Sequence, residues 1–165
     1  MKTIWLAGGC FWGVEAYFKQ LKGVVDTTVG YGQGYKEQPS YREVCAETTG
    51  HAEICEVVYE EGILPLTKVL EHFFRIIDPT SLNRQGGDTG TQYRTGIYYK
   101  DPEDKTAIAA WLDGKRQDYS EPIVVEVEPF KNFYPAEDYH QDYLQHTPGG
   151  YCHINLALAA PEERK

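Results

Sequence analysis

The sequence predicts a single α+β domain of two layers, in which helices pack on one mixed β-sheet and a long irregular segment forms the C-terminus. Apolar runs typical of strands alternate with helical patterns, and no Rossmann-type glycine fingerprint accompanies them. A chain of 165 residues has room for one full hydrophobic core, and neither a repeat nor a low-complexity linker divides it. We therefore expect residues 1–165 to form one domain.

Local patterns place the elements of the N-terminal half. An apolar run predicts a strand over 3–7, and apolar residues spaced by three and four predict a helix over 10–22. Valine and threonine predict a strand near 24–31, after which a loop rich in glycine and aromatic residues follows. Alternating residues predict another strand over 53–59.

The C-terminal half begins with the clearest helix, predicted over 65–77. Its proline suits the first turn, and its apolar residues form one stripe. The turn-rich segment 78–92 has almost no apolar residue, and loops of that length in a compact domain are usually functional or disordered. The remaining predictions are a strand near 95–99, a helix that opens at 101–104, a strand at 123–127, a short helix at 136–145 and an aperiodic tail from 147.

Composition excludes several classes of function. The formal net charge is −9, and no basic cluster exceeds Arg164-Lys165, so we expect no nucleic-acid partner. Neither a signal-peptide core nor a segment of transmembrane length is present, so we expect no membrane association. The four cysteines form no C-x-x-C pair, which argues against a zinc ribbon and against a thioredoxin-type pair. An even number of cysteines could indicate a disulfide framework, but four in 165 residues without a leader favour a reducing cytoplasm.

Cys10 is the strongest candidate for chemistry. Gly8 and Gly9 permit a sharp turn from strand to helix directly before it. At a helix N-terminus, unpaired backbone N–H groups and the macrodipole favour an anion, which predicts a lowered thiol pKa and a reactive thiolate. A buried structural cysteine is the alternative. The two glycines and the adjacent Phe11 and Trp12 favour the reactive thiol.

Glu53 is the second candidate. On the predicted strand it shares a face with Cys55, Val57 and Tyr59, which we expect to be the drier face. Burial there would raise the pKa of the carboxyl and make it a proton donor near neutral pH. An exposed glutamate at the end of a strand is equally consistent with the pattern.

Polar groups elsewhere in the chain could assist such chemistry. Tyr41, Asp88 and Tyr93 lie in loops or at the edges of elements, and a phenol can donate a hydrogen bond to a developing negative oxygen. Cys152 follows two glycines in the predicted tail, which we expect to be mobile, as a resolving cysteine requires. Ordinary surface residues and a free thiol are the alternatives.

A set of motifs runs in one order over residues 3–156. These motifs are Gly9-Cys10-Phe11-Trp12-Gly13, Glu15-Ala16-Tyr17-Phe18, Pro39-Ser40-Tyr41, Val44-Cys45, Thr49-Gly50-His51-Ala52-Glu53, Asp78-Pro79-Thr80, Asn83-Arg84-Gln85-Gly86, Asp88, Gln92-Tyr93-Arg94, Ala136-Glu137, Tyr139-His140-Gln141-Asp142-Tyr143-Leu144 and Gly150-Tyr151-Cys152-His153-Ile154. Together they resemble the A-type peptide methionine sulfoxide reductases, which act on the S epimer of methionine sulfoxide.

The resemblance implies a reduction that uses thiols. Cys10 matches the nucleophile, which becomes a sulfenic acid, and Glu53 matches the acid that protonates the sulfoxide oxygen. Tyr41 and Tyr93 match the phenols that hydrogen-bond this oxygen. The implied substrate is oxidised methionine, free or in proteins, and the implied role is repair after oxidation.

The resemblance also implies how substrate is held and how the enzyme is recycled. Phe11 and Trp12 match the aromatic walls around the substrate's methyl group, and Asp88 matches a supporting polar residue. Cys152 matches the resolving cysteine of one branch of the family. The resulting disulfide would be reduced by thioredoxin, and neither a metal nor an organic cofactor is needed.

The residues leave two other functions open. One is a hydrolase or acyl transferase in which Cys10 is the nucleophile and His51 or His140 the base. The other is a non-catalytic module that binds thioether or aromatic peptides through tyrosine-rich loops. We expect both histidines, together with Cys45 and Cys55, to be structural.

Overall fold

The computed structural model describes residues 1–165 and contains one six-stranded sheet, a two-stranded ribbon and five α-helices. The strands are β1 (Lys2–Gly8), β2 (Val24–Gly32), β3 (Ala52–Tyr59), β4 (Arg84–Gln85), β5 (Asp88–Thr89), β6 (Thr95–Tyr99), β7 (Glu126–Pro129) and β8 (Phe133–Pro135). The helices are α1 (Phe11–Lys19), α2 (Tyr41–Cys45), α3 (Leu66–Ile76), α4 (Pro102–Lys115) and α5 (Tyr143–His146). The predicted α+β class with a mixed sheet is confirmed.

The order of strands in the large sheet is β7-β6-β1-β3-β2-β8, and only the β6–β7 pair is parallel. β1 and β3 are antiparallel, with Leu6 opposite Cys55. In an antiparallel pair, the end of one strand lies beside the start of the other. Cys10, just after β1, is therefore placed next to Glu53 near the start of β3.

Each face of the sheet has its own apolar cluster. The main core contains 29 buried residues and joins one sheet face to α1, α3 and α4. The face of β3 that was predicted to be the drier one is buried, because Glu53, Cys55 and Tyr59 are each at most 1% exposed. A smaller cluster on the other face includes Trp5 and is covered in part by Phe133.

The predicted strand at 123–127 is shifted, and this part of the prediction was wrong. Pairing with β6 starts only at Glu126, which lies opposite Gly96 near the start of β6. Val124 lies before that point, and its backbone N–H donates to the carbonyl of Pro79 at 2.8 Å. The N–H of Val124 is therefore bonded to the loop that precedes β4 and is not available for pairing with β6.

The predicted helix at 136–145 is also wrong, because it is broken in the middle. A 3₁₀ turn at Asp138–His140 is followed by Asp142 with a φ of 54° and then by the short α5. The Gln141 side chain bonds the backbone of Val29, and the Asp142 N–H donates to Glu15 Oε1 at 2.7 Å. These bonds to β2 and α1 outweigh local helix propensity.

The C-terminal segment is irregular, as predicted, but it is packed against the domain rather than free. Ile154 and Ala159 are buried, and the N–H of Lys165 donates to the carbonyl of Gln20 at 2.8 Å. Arg75 of α3 donates to Glu163 through both terminal nitrogens, at 2.8 and 3.2 Å. These contacts fasten the segment after Cys152 to α1 and α3.

Substituting Glu163→Gln should destabilise the fold in a pH-dependent way. Hydrogen bonds from Arg75 are the main reason that the pKa of Glu163 is lowered to about 2. Because the pKa is lower in the folded state, the stabilisation is complete above the unfolded value of about 4.3 and disappears as pH falls toward 2. We expect a loss of about 1 kcal/mol at pH 7 and a smaller loss at pH 3, measured by urea denaturation.

The exposed neighbour Glu162 provides the matched control. Glu162→Gln should change the free energy of unfolding little at either pH. An equal effect of the two substitutions, or a loss for Glu163→Gln that does not depend on pH, would contradict the assigned ion pair.

Candidate active site

Cys10 and Glu53 meet at the start of α1. Cys10 is the N-cap residue of this helix, and the preceding Gly9 has a φ of 86°. The first backbone N–H of the helix, from Phe11, donates to Glu53 Oε1 at 3.3 Å. The carboxyl of the acid thus contacts the residue directly after the thiol.

Glu53 is held in the state that a proton donor needs. The residue is 1% exposed, and its Oε2 has no hydrogen-bond partner. Burial raises the pKa of this carboxyl to about 8, against the Phe11 N–H that lowers it. The charge of Asp88 adds to the rise. Glu53 is therefore mostly protonated at neutral pH.

The thiol of Cys10 differs from the sequence-based expectation. Burial raises its pKa well above the ordinary value, and the carboxyl charge of Glu53 raises it further. The backbone N–H of Trp12 acts in the opposite direction but is outweighed. The predicted lowering of the pKa was wrong, because this helix N-terminus is buried and lies among acidic groups. Cys10 is a thiol in the resting protein.

Two phenols and a carboxyl complete the polar side of the site. Burial raises the pKa values of Tyr41 and Tyr93, and the charge of Glu53 contributes to both shifts. Both phenols therefore keep their protons and can donate hydrogen bonds to an oxygen near Glu53. Asp88 of β5 adds a buried Oδ2 without a partner.

An aromatic wall lies on the other side. Phe11 is 1% exposed, and the Trp12 indole stacks on Tyr143 with ring centroids 3.9 Å apart. Trp12 Nε1 donates to His140 Nδ1 at 3.0 Å, and the His140 ring also contacts Phe11 and Tyr41. These rings form an apolar surface suited to a small group such as a methyl.

Cys152 lies over the first turn of α1. A Cβ on Gly13 would be 3.2 Å from the Cys152 sulfur, which donates to the carbonyl of Ile154 at 3.2 Å. The Cys152 thiol also contributes to the raised pKa of Cys10. The structure therefore brings together the predicted site residues, which are Cys10, Phe11, Trp12, Tyr41, Glu53, Asp88, Tyr93 and Cys152.

The sequence that forms this site matches a known protein family. Residues 2–165 match the family model described as peptide methionine sulfoxide reductase. The chain belongs to this family.

Individual proteins similar to this reductase support the family assignment. Peptide methionine sulfoxide reductase MsrA of Clostridium botulinum (strain Okra / Type B1) is 58% identical over 156 residues, which are 94% of this chain and 99% of that protein. The crystal structure of reduced Mxr1 from Saccharomyces cerevisiae is 40% identical, has a TM-score of 0.89, and aligns over 93% of this chain and 91% of that one. Mxr1 in complex with Trx2 aligns with a TM-score of 0.62 at 31% identity, over 86% and 84% of the two chains. Reduction of methionine sulfoxide, predicted from the sequence, is confirmed.

The two remaining thiols of the reductase, Cys45 and Cys55, are not part of the site formed around Cys10. All four cysteines are free. Cys55 is completely buried on β3, and Cys45 is exposed at the end of α2, one helical turn after Tyr41. Neither has a contact that suggests nucleophilic chemistry.

The histidines of the reductase do not form a base for Cys10. His51 Nδ1 accepts from the N–H of Gly34 at 3.1 Å, and its Nε2 bonds the carbonyl of Lys36 at 2.6 Å. His140 Nδ1 is occupied by Trp12. Neither ring is hydrogen-bonded to the thiol, so the geometry gives no support to the hydrolase alternative.

His140 and Tyr143 contribute to the aromatic wall, which the sequence pattern did not predict. His140 was expected to be structural, whereas its ring lies between Phe11, Trp12 and Tyr41. The signal was available, because both residues lie in the Tyr139–Tyr143 motif that carries the resemblance. Spacing alone could not show that they contact a residue near the N-terminus.

The structure contains no group of three or more His, Cys, Asp or Glu side chains able to hold a metal ion. None of its helices has both the length and the apolar character needed to cross a bilayer.

Proposed function

We propose that this reductase acts on the S epimer of methionine sulfoxide, free or in proteins, with Cys10 as nucleophile and Glu53 as proton donor. The observation that carries the proposal is the buried Glu53 carboxyl beside the Cys10 turn, with its Oε2 unpartnered and its pKa raised to about 8. A protonated carboxyl at this position supplies what a sulfoxide lacks, because its sulfur is a poor electrophile until the oxygen accepts a proton.

The first step transfers oxygen from substrate to enzyme. Glu53 gives its proton to the sulfoxide oxygen, while the Cys10 thiol releases its own proton and its sulfur attacks the sulfoxide sulfur. As the S–O bond of the substrate and the newly formed S–S bond break, the oxygen passes to the Cys10 sulfur as a sulfenic acid, and methionine leaves as a thioether. The thiol proton returns to Glu53, so a two-electron reduction of the substrate matches the oxidation of Cys10 with no net proton consumed.

The surrounding groups have separate roles in this step. Tyr41 and Tyr93 donate hydrogen bonds to the oxygen as negative charge develops on it. Phe11 and Trp12 bind the methyl group of the substrate, and Asp88 is a supporting polar residue. The raised pKa values of the two phenols support their role as neutral donors.

The second step regenerates the thiol. The Cys152 sulfur attacks the Cys10 sulfenic acid, which forms a disulfide and releases water. A thioredoxin dithiol then reduces this disulfide and is itself oxidised. The position of Cys152 over α1 and the complex of the yeast relative with Trx2 support this route. The four free cysteines support a reducing cytoplasm as the compartment.

Incubation with racemic methionine sulfoxide and dithiothreitol tests the proposed reaction. We expect half of the substrate to be converted to methionine, with the R epimer left over when the two epimers are separated by chromatography. Cys10→Ser is the control and should produce no methionine. Consumption of the R epimer, or activity of the control variant, would contradict the proposal.

A further inference from the structure

His153, the residue after Cys152, packs against Gly8 and Gly9, which form the turn before Cys10 (the Cys10 turn). Its Nε2 is 3.1 Å from the carbonyl oxygen of Gly8. A Cβ on Gly9 would be 3.0 Å from this nitrogen, and a Cβ on Gly86 would be 2.8 Å from the His153 Cβ. Both glycines have positive φ values, 86° and 59°. We call the space formed by Gly8, Gly9, Gln85 and Gly86 the His153 socket.

The socket is rigid on its far side. Gln85 is 3% exposed, and its side-chain amide bonds both the N–H and the carbonyl of Asp78 at 2.8 Å. A Cβ on Gly9 would be only 2.7 Å from the Gln85 Cβ. Only glycine at position 9 therefore leaves room for Gln85 and the histidine ring together.

The hydrogen bond determines the tautomer of His153. A carbonyl oxygen only accepts, so Nε2 carries the proton and donates to Gly8. Nδ1 is buried without a partner, and burial lowers the pKa of the ring. The neutral ring therefore makes one directed bond to the Cys10 turn.

This bond connects the two segments that carry the thiols. Gly8 precedes Cys10 by two residues, and His153 follows Cys152 directly. The chain before Cys152 is largely exposed over 147–151, and Ile154 just after it is buried near Gly13. His153 is thus among the first anchored residues next to Cys152.

We propose that His153 is a positioning residue for the resolving step, which holds Cys152 close to Cys10 before the sulfenic acid forms. The inference rests on the proposed function, in which Cys152 resolves Cys10. Holding two reacting groups in place raises their effective concentration, and small displacements reduce it strongly. The anchor should therefore matter for disulfide formation and not for the release of methionine.

A single-turnover experiment without reductant separates the two steps. Rapid quenching measures methionine release, and trapping with a 1,3-dione measures the Cys10 sulfenic acid that remains. For His153→Ala we expect methionine release within about twofold of the parent, and disulfide formation at least about tenfold slower, with sulfenic acid accumulating.

Conservative variants distinguish the hydrogen bond from packing. In His153→Gln the side-chain amide can still reach the Gly8 carbonyl, so we expect most of the resolving rate to return. His153→Asn is too short and should behave like the alanine variant. If His153→Ala fails to fold, the comparison of His153→Gln with His153→Asn tests the same hydrogen bond. His146→Ala, at an exposed position on α5, is the control and should leave both steps unchanged.

Two results would overturn the role of His153 while leaving Cys152 as the resolving cysteine. One is disulfide formation at the parental rate in both His153→Ala and His153→Asn, while Cys152→Ser forms no disulfide. The other is an equal slowing of methionine release and disulfide formation, which would mean that His153 supports the Cys10 turn as a whole. A normal Cys10 disulfide in Cys152→Ser would instead overturn the resolving assignment, and the role of His153 with it.

Discussion

Glu53→Gln should slow methionine formation in the first turnover by about 10²–10⁴-fold, the usual contribution of a positioned general acid. The amide has nearly the same shape and can still accept from the Phe11 N–H, but it has no proton to give to the sulfoxide oxygen. Rapid-quench measurement of methionine in a single turnover gives the rate directly. Substrate affinity should change little, because Phe11 and Trp12 are unaltered.

The pH dependence of this step provides a second readout. The pKa of Glu53 is raised to about 8, so the fraction of protonated acid falls as pH rises through that value. In the parent enzyme this loss lowers the rate of methionine formation above about pH 8. Glu53→Gln should lack this decrease, whereas Glu53→Asp should retain one. A parental rate and pH profile in the glutamine variant would exclude Glu53 as the proton donor.

Cys152→Ser should release one methionine per enzyme and then stop when thioredoxin is the only reductant. Its sulfenic acid has no partner thiol, so the disulfide that thioredoxin reduces does not form. We expect steady-state turnover with thioredoxin to fall by at least about 100-fold, while a small dithiol still supports turnover by reaching Cys10 directly. Measurements of methionine with each reductant compare the two routes.

Sustained turnover of this variant with thioredoxin would remove Cys152 from the mechanism. Cys45 would then become the candidate, because it is exposed and lies one helical turn after Tyr41. Cys55 is excluded, since it is fully buried on β3 and could not reach Cys10 without opening the sheet.

Local patterns predicted most of the fold. Alternation over β3 placed Glu53 on the buried face, and the glycines before Cys10 predicted the turn from strand to helix. These successes share a cause, because each depends on residues close together in the sequence. The broken helix near Asp142 was missed because its bond to Glu15 joins positions 127 residues apart.

The site was harder to predict than the fold. The pKa of Cys10 was expected to fall because of the helix N-terminus, but burial and the charges of Glu53 and Asp88 come from the tertiary structure. The contact of His153 could not be predicted from its neighbours in the sequence, since its socket is built by Gly9 and Gly86 from two other parts of the chain. The pKa of Cys10 and the position of His153 both depend on contacts between residues far apart in the sequence, which local sequence patterns do not reveal.

The bond between His153 and Gly8 spans 145 residues, and the bond between Trp12 and His140 spans 128. Contacts this distant in sequence carry the largest loop-closure entropy and form slowly. During synthesis, Gly8 and Trp12 emerge early, whereas their partners His153 and His140 are made more than 120 residues later. The turn that carries Cys10 is thus fixed by its C-terminal partners only when nearly all of the chain has been made.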